Sequence, residues 1–387
     1  MTDLAALRTD SGMTQAQSAR ALGVSRALLG FYETGARPTP ADVRARLLAL
    51  YGVTEGAGRA PAAPSVLLRS NRELLDAAGS GELNVLDGVL ELYVELLGGL
   101  DFESCALLES PFEAAETRAQ KSEAEWAARR VRSWLASGAG CLDPFDVANR
   151  VTMVFQLPLG ADLTSAASGF FFKHPQAGLT IVVNSDVTLG RQHFSVAHEL
   201  AHALFHSQTL SGIVSPGVAS DGVDGRERFA NQFAVEFLMP ADAVLSAVKA
   251  QPAWAPRSPV EQRVLAIQRE FGVSYASAAF RMRNLGLITH AELERVQEQS
   301  PSTVARGLGW SASALDSVPM LLDRLAGFPP CVQWLFRAAI EEGKVSLGDV
   351  AETCGVSTEA VRRMIQPADD EFPGDAIDVA YERYVIG

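Results

Sequence analysis

Apolar residues recur along most of the chain at intervals of three and four residues, the spacing of amphipathic helices. Three short stretches depart from this pattern. The nearly continuous apolar runs at 151–157, 169–173 and 179–184 predict β-strands. We therefore predict a mainly α chain of the α+β class, with one small sheet among many helices.

Composition divides the chain into segments. Apart from Arg59, residues 56–65 are small residues, glycine and proline, which is typical of a flexible linker. We predict an all-α domain at 1–55 before the linker and a helical connector at 66–110 after it. The connector either packs on its neighbours as a helical hairpin or mediates dimerisation. The strands belong to a central domain at 111–295, and 296–387 forms a helical C-terminal domain.

The net charge of -13 excludes a globally basic nucleic-acid binder but leaves room for a small DNA-reading module. The four cysteines lie far apart without a Cys-x-x-Cys pair, so we predict neither a zinc ribbon nor a disulfide framework. A reduced, cytoplasmic location follows as an expectation. The first residues lack the features of a signal peptide, and Glu91 and Glu95 interrupt a long apolar stretch, so no membrane span is expected.

The first domain carries two consecutive predicted helices. Thr14 caps the first and Gly23 ends it, while Ser25 opens the second at once. Ala19 is small enough for the two helices to cross closely. Over residues 4–53 this pattern resembles the XRE family of phage-repressor-type helix-turn-helix domains.

That resemblance implies binding to double-stranded DNA, with the second helix as the recognition helix in the major groove. Its first residues would read base edges, and Phe31, one turn on, would touch thymine methyl groups. A helix pair used only for dimerisation is the alternative. Because six arginines face five carboxylates in residues 1–55, a monomer should bind weakly, and we expect a homodimer on a palindromic operator. The predicted DNA contacts are Gln15, Ser25, Arg26, Ala27, Phe31 and Arg37.

The central domain contains the sequence His198-Glu199-Leu200-Ala201-His202. In a helix, the two histidines lie one turn apart on one face, so both imidazoles can bind a single metal ion. Glu199 lies about 100° further round the helix, where it can take a proton from water rather than bind the metal. The motif predicts a zinc site whose catalytic carboxylate is Glu199.

A catalytic zinc normally has three protein ligands, so a third is needed. The positions that complete a metzincin site hold Phe205 and Gln208. His206 continues the i, i+4 series, but it lies about 12 Å along the helix axis from His198, too far to share one ion. Glu227, on a second helix, is the better candidate, and an antiparallel helix would complete a site of the glutamate-zincin type.

The second helix has features that suit this role. Glu227 shares an edge with Asn231 at i, i+4, while Ala230 and Ala234 form a strip of small residues on which another helix can lie closely. Pro240 ends the run.

Together, the segments at 194–202, 230–234 and 238–240 resemble the ImmA/IrrE family of bacterial metallopeptidases, over residues 119–287. The resemblance implies a zincin-like domain with His198, His202 and Glu227 as ligands and Glu199 as general base. In several members of that family the substrate is a DNA-bound repressor. One departure is Phe229, where many members carry a second acidic residue.

We therefore predict a DNA-binding transcriptional regulator with a zinc-dependent endopeptidase domain. It would cleave a regulatory protein, such as a repressor or the chain itself, by attack of metal-activated water. Manganese is an alternative metal, because a His, His, Glu set accepts either ion. One alternative function is a transcription factor whose metallopeptidase fold senses or binds a partner with little proteolysis. Another is a regulator of the toxin-antitoxin or phage type.

Several features remain open at this point. His174, His193 and His206 are candidates for stabilising an oxyanion, although each also suits an ordinary packing role. A strand at the sheet edge could pair with substrate or simply complete a hairpin. The sequence Gly-Val-Ser recurs at 272–274 and 355–357, each time between predicted helices, as in the first domain. We interpret both as structural, with nucleic-acid contact as the alternative for 355–357.

Overall fold

The computed structural model describes 4–5, 8, 13–22, 24–34, 37, 39–51, 80–100, 102–115, 121–136, 140–160, 168–208, 225–250 and 258–366. The chain divides into two compact units, Met1–Val66 and Leu67–Gly387. The linker predicted at 56–65 lies outside the described residues. The second unit runs through the residues that the sequence analysis divided into connector, central and C-terminal domains, and those internal boundaries stay predictions.

The described part of the first unit contains α1 (Gln15–Leu22), α2 (Arg26–Thr34) and α3 (Ala41–Leu50). Ser25 caps α2, because its hydroxyl accepts a hydrogen bond from the amide of Leu28 at 3.0 Å. The amide of Val24 donates to the carbonyl of Ala19 at 2.9 Å, which closes the corner between α1 and α2. The local sequence thus forms the predicted helix-turn-helix, with the second helix beginning just after its cap.

The second unit is mainly helical with one three-stranded sheet. Its first elements in chain order are α4 (Ser80–Leu100), α5 (Lys121–Leu135), α6 (Pro144–Ala148), β1 (Met153–Leu157), β2 (Gly169–His174), β3 (Gly178–Asn184), α7 (Leu189–Phe205) and α8 (Gly225–Leu238). The helices that follow are α9 (Ala241–Ala250), α10 (Val260–Phe271), α11 (Tyr275–Asn284), α12 (His290–Gln297), α13 (Pro301–Gly307), α14 (Pro330–Glu341), α15 (Leu347–Cys354) and α16 (Thr358–Ile365). Short 3-10 turns lie at Ala314–Asp316 and Arg324–Gly327. The mainly α, α+β prediction is confirmed.

The sheet has the strand order β1-β3-β2, with β1 parallel to β3 and β2 antiparallel to it. Both faces are covered, which explains why the strands appear in the sequence as apolar runs rather than alternating patterns. Phe171, Ile181 and Val183 face one hydrophobic core with α5, α7 and α8. Phe170 and Val182 face a second core on the opposite side. The sheet therefore forms the middle layer of three.

The second core joins segments from distant parts of the chain. The apolar stripe of α4 is buried there against α14, α15 and α16, and Leu86, Leu90 and Tyr93 are almost completely inaccessible. The stripe is thus used within the chain as packing surface. No helix in the described ranges is long and apolar enough to cross a bilayer.

A disulfide joins Cys105 and Cys331, whose Cα atoms are 6.4 Å apart. The prediction that the cysteines form no disulfide framework is therefore wrong for this pair. The two residues are 226 positions apart in sequence, and only the packing of the segment after α4 beside α14 brings them together. Cys141 and Cys354 are free.

The corners at 272–274 and 355–357 share one geometry. Gly272 and Gly355 adopt left-handed φ angles of 64° and 62°, and each glycine ends its helix. Ser274 and Ser357 cap the following helices. The first of these corners supports the start of α7, because a Cβ on Gly190 would lie 2.7 Å from the amide nitrogen of Ser274.

The two arginines of α16, beside the last corner, both have carboxylate partners. On α16, Arg362 pairs with Glu359 at 3.4 Å and Arg363 pairs with Asp323 at 2.8 Å. These contacts favour the structural interpretation of this corner.

Candidate metal centre

Helix α7 carries the two histidines of the motif into the interior. From Ser195 to Phe205 every side chain of the helix is buried, because the sheet packs on one side and α8 on another. His198 and His202 lie one turn apart, and their Nε2 atoms are 3.2 Å from each other. The helix thus presents two imidazole nitrogens to one point.

Helix α8 brings the third group. Its small residues Ala230 and Ala234 are fully buried, so the backbones of α7 and α8 can approach closely. Glu227 lies in the first turn of α8. Its Oε2 is 3.3 Å from Nε2 of His198, and its Oε1 is 3.3 Å from Nε2 of His202. The three residues that the sequence predicted as ligands therefore meet.

The spacing of these donor atoms fits a zinc-sized ion. Four ligands at about 2.0–2.1 Å in a tetrahedron lie roughly 3.3–3.4 Å from one another, and the observed separations are 3.2 and 3.3 Å. Among the described residues, His198, His202 and Glu227 form the one cluster of three such groups. Two imidazoles and a carboxylate suit a divalent ion of the zinc or manganese type.

The charges of the cluster support each other. Burial raises the pKa of the Glu227 carboxyl, but hydrogen bonds from His198 and His202 outweigh it and hold that pKa well below its usual range. Burial likewise lowers the pKa of His198, yet Glu227 and Glu199 outweigh it and raise that pKa above its ordinary value. For His202 burial dominates, and its pKa is lowered. Glu227 is thus an anion aimed at the two imidazoles.

Glu199 differs from Glu227 in its surroundings. It is 1% exposed, and its Oε2 has no hydrogen-bond partner among the described residues. Burial raises its pKa, His198 lowers it and Glu227 raises it, and the net result is a pKa of about 8. A buried carboxylate without a fixed partner is suited to accept and return a proton.

The outer nitrogens of both imidazoles also have partners. Nδ1 of His198 is 3.1 Å from Oδ1 of Asn231 on α8. Nδ1 of His202 is 3.0 Å from Nδ1 of His206, at the end of α7. His206 therefore contacts a candidate ligand without joining the cluster, as its distance along the helix indicated. The i, i+4 spacing of Asn231 from Glu227 is evident in the sequence, but the contact of Asn231 with His198 was not predicted.

The three histidines considered for oxyanion stabilisation each have another contact. Nδ1 of His193 is 2.7 Å from the carbonyl oxygen of Gly272. Nδ1 of His174 accepts the amide hydrogens of Gln176 and Ala177 in the turn between β2 and β3. Burial and His202 lower the pKa of His206 to about 3, so this ring stays neutral beside its neighbour. The contacts of His193 and His174 favour packing roles for these two rings, whereas His206 contacts the candidate ligand His202.

In the first unit, the predicted DNA contacts fall into two groups. Arg26 is exposed and Phe31 is 45% exposed, both on α2. Gln15 uses its amide within the domain, donating to Glu33 at 3.0 Å and accepting from Arg26 at 3.3 Å. Ser25 uses its hydroxyl as the helix cap. The contacts of Gln15 and Ser25 thus order the start of α2.

Two of the predicted DNA contacts remain to be placed. Arg37 is half-buried, and its amide donates to the carbonyl of Phe31 at 3.2 Å. Ala27 lies within α2, and its side chain is outside the described positions.

The architecture defines a metallopeptidase-like domain joined to a helix-turn-helix domain. Comparison with protein families agrees with both parts. Residues 153–283 match the M78 peptidase family, described as the IrrE N-terminal-like domain, and this range spans the whole cluster. Residues 2–62 match a family described as a helix-turn-helix domain. No curated protein matches the chain significantly. The predicted fusion of the two domain types is confirmed.

Proposed function

We propose that this protein is a DNA-binding transcriptional regulator whose IrrE-like domain is a zinc-dependent endopeptidase acting on a regulatory protein. The substrate is a partner such as a repressor, or the chain itself. The observation that carries the proposal is the convergence of His198, His202 and Glu227 beside the buried carboxyl of Glu199, whose Oε2 has no hydrogen-bond partner among the described residues. A structural metal site has no need of such a carboxyl.

The chemistry follows from these residues. When bound, zinc supplies a Lewis acid that polarises the scissile carbonyl and activates water. Glu199 takes the proton of the attacking water and passes it to the leaving amine, so one carboxyl serves both proton transfers. Its burial favours this role, since a raised pKa brings a carboxyl closer to the pH at which proton uptake and release are balanced.

The edge of the sheet provides a place for substrate. Strand β2 pairs with β3 on one side, and no described strand pairs with its other side. Its first residue, Gly169, lies beside Glu199. An extended peptide added along this edge would pass the candidate metal site, with backbone hydrogen bonds contributing affinity.

The helix-turn-helix domain gives the peptidase a regulatory setting. An exposed Arg26 and Phe31 on the recognition helix suit an operator in double-stranded DNA. The near balance of charge in this domain favours a homodimer that doubles the contacts on a palindromic site. We place this function in the cytoplasm, where DNA and its repressors are found.

Cleavage of neighbouring regulators tests the proposal. Full-length wild type, Glu199→Gln and the surface control Glu359→Gln are each incubated with zinc and with purified repressors encoded near the gene, and products are read by mass spectrometry. We expect cleavage by wild type and Glu359→Gln and at least about a thousand-fold loss in Glu199→Gln, in line with the loss of a general base. Intact partners with zinc-loaded wild type, alongside normal DNA binding, would instead support a sensing role.

A further inference from the structure

The two imidazoles of the candidate metal site each have two ring nitrogens, and only one can face the cluster. In both rings the inner nitrogen is Nε2, which lies 3.3 Å from a Glu227 oxygen. A neutral imidazole carries its single proton on one nitrogen and its lone pair on the other. Metal binding therefore requires the proton on Nδ1, away from Glu227.

Asn231 contacts the outer nitrogen of His198. Its Oδ1 lies 3.1 Å from Nδ1 of His198, and an amide oxygen can only accept a hydrogen bond. Nδ1 must then donate, which leaves Nε2 as the nitrogen that gives up its proton to a metal. Asn231 comes one helical turn after Glu227, so α8 carries both a ligand and the group that orients another.

His206 has the same effect at His202 through a less obvious contact. Two Nδ1 atoms 3.0 Å apart share a single proton, so one donates and the other accepts. If His206 donated, the proton of His202 would lie on Nε2 and block the metal. The arrangement open to a metal has His202 donating and His206 accepting, with the proton of His206 on its own Nε2.

We propose that Asn231 and His206 are positioning residues that hold the protons of His198 and His202 on Nδ1, so that both Nε2 atoms face the metal. The proposal deepens the proposed function, because it rests on the same metal site. It makes His206, the third histidine of the i, i+4 series, part of the site without making it a ligand. Orienting groups of this kind contribute about 10- to 100-fold to metal affinity.

Zinc affinity of the full-length chain, measured by competition with a chelating dye, tests this proposal. We expect Asn231→Ala and His206→Leu each to bind zinc about 10- to 100-fold more weakly than wild type. Asn231→Asp and His206→Gln keep an accepting oxygen and should restore most of the affinity. Gln232→Ala is the matched control, since Gln232 is the next residue on α8 and bonds to Glu125 instead.

Nuclear magnetic resonance of the zinc-loaded chain provides a readout that simple loss of packing does not mimic. The Nδ1 proton of His198 should lose its protection from solvent exchange in Asn231→Ala only, and that of His202 in His206→Leu only. Folded alanine and leucine variants that bind zinc as tightly as wild type would overturn the proposal. If the alanine or leucine variant fails to fold, the variants that keep an accepting oxygen provide the test. A folded Asn231→Asp or His206→Gln that binds zinc ten-fold more weakly than wild type would also contradict the proposal. Wild type that binds no zinc would instead remove the proposed function.

Discussion

Gly169 at the start of β2 lies directly against Glu199 on α7. A Cβ built on Gly169 would be 3.5 Å from Cγ of Glu199 and only 2.7 Å from the carbonyl oxygen of Val182. The second distance is too short for any real side chain, whereas the first is an ordinary van der Waals contact. Only glycine therefore fits between β2 and β3 at this point, which lies beside Glu199.

Gly169→Ala should therefore impair catalysis more than metal binding. The added methyl forces β2 away from β3 beside Glu199, while His198, His202 and Glu227 sit on two helices that need not move. We expect peptidase turnover to fall by roughly 100-fold, the loss that accompanies a shift of about 1 Å, with zinc affinity near that of wild type. Gly98→Ala is the control, since nothing lies within 4 Å of that position. Equal turnover in the two variants would refute this fit.

Glu236 should be a large contributor to stability. Its carboxylate is 1% exposed and accepts from Arg129 at 2.9 Å and from Arg281, which is itself 2% exposed. Glu236→Ala would leave Arg281 buried without its carboxylate partner. We therefore expect the free energy of unfolding to fall by about 3–5 kcal/mol. Urea unfolding measures it, and Glu359→Ala, in an exposed ion pair, should change little. A loss in Glu236→Ala no greater than in that control would argue against this ion-pair network.

The turn between β2 and β3 should make stability fall in mild acid. Nδ1 of His174 accepts two backbone amide hydrogens there, and burial lowers the pKa of His174 below its ordinary 6.5. The unfolded chain takes up the proton first, so this contribution is complete above pH 6.5 and is lost as pH falls toward the folded pKa. Urea unfolding of wild type and His174→Gln on both sides of pH 6.5 checks this. The variant should lose less stability on acidification. If the free energies of unfolding of both proteins fell in parallel with pH, His174 would not be the group responsible.

Arg26 should determine sequence preference in DNA binding. It is exposed near the start of α2, and Gln15 steadies it with a hydrogen bond. A bidentate arginine contact to a base contributes about 1–3 kcal/mol, so Arg26→Ala should weaken binding to the chain's own promoter by about ten-fold or more. Binding to scrambled DNA should change less. Arg362→Ala serves as control, because Arg362 pairs with Glu359. Unchanged promoter affinity in Arg26→Ala would remove the recognition-helix assignment.

Local patterns predicted much of this molecule, and long-range packing accounts for what they missed. The apolar runs located all three strands within two residues, because both sheet faces are covered. Histidine spacing and the small residues of α8 indicated the cluster. The pairing of Cys105 with Cys331 and the shared core of α4 with α14–α16 depend on segments more than two hundred residues apart, which no local pattern reveals. Gln15 and Ser25 stay predicted DNA contacts, and each also has a hydrogen-bond partner within the domain.

A zinc titration of the full-length chain is the sharpest test of the metal site. We expect one zinc per wild-type chain. Glu227→Gln should weaken binding by more than about 100-fold, beyond the effect of groups that only orient ligands. Glu199→Gln should bind zinc as wild type does, because Glu199 is placed to move protons and not to bind the metal. Tight zinc binding by Glu227→Gln, or its loss in Glu199→Gln, would contradict the assignment of His198, His202 and Glu227 as the metal site.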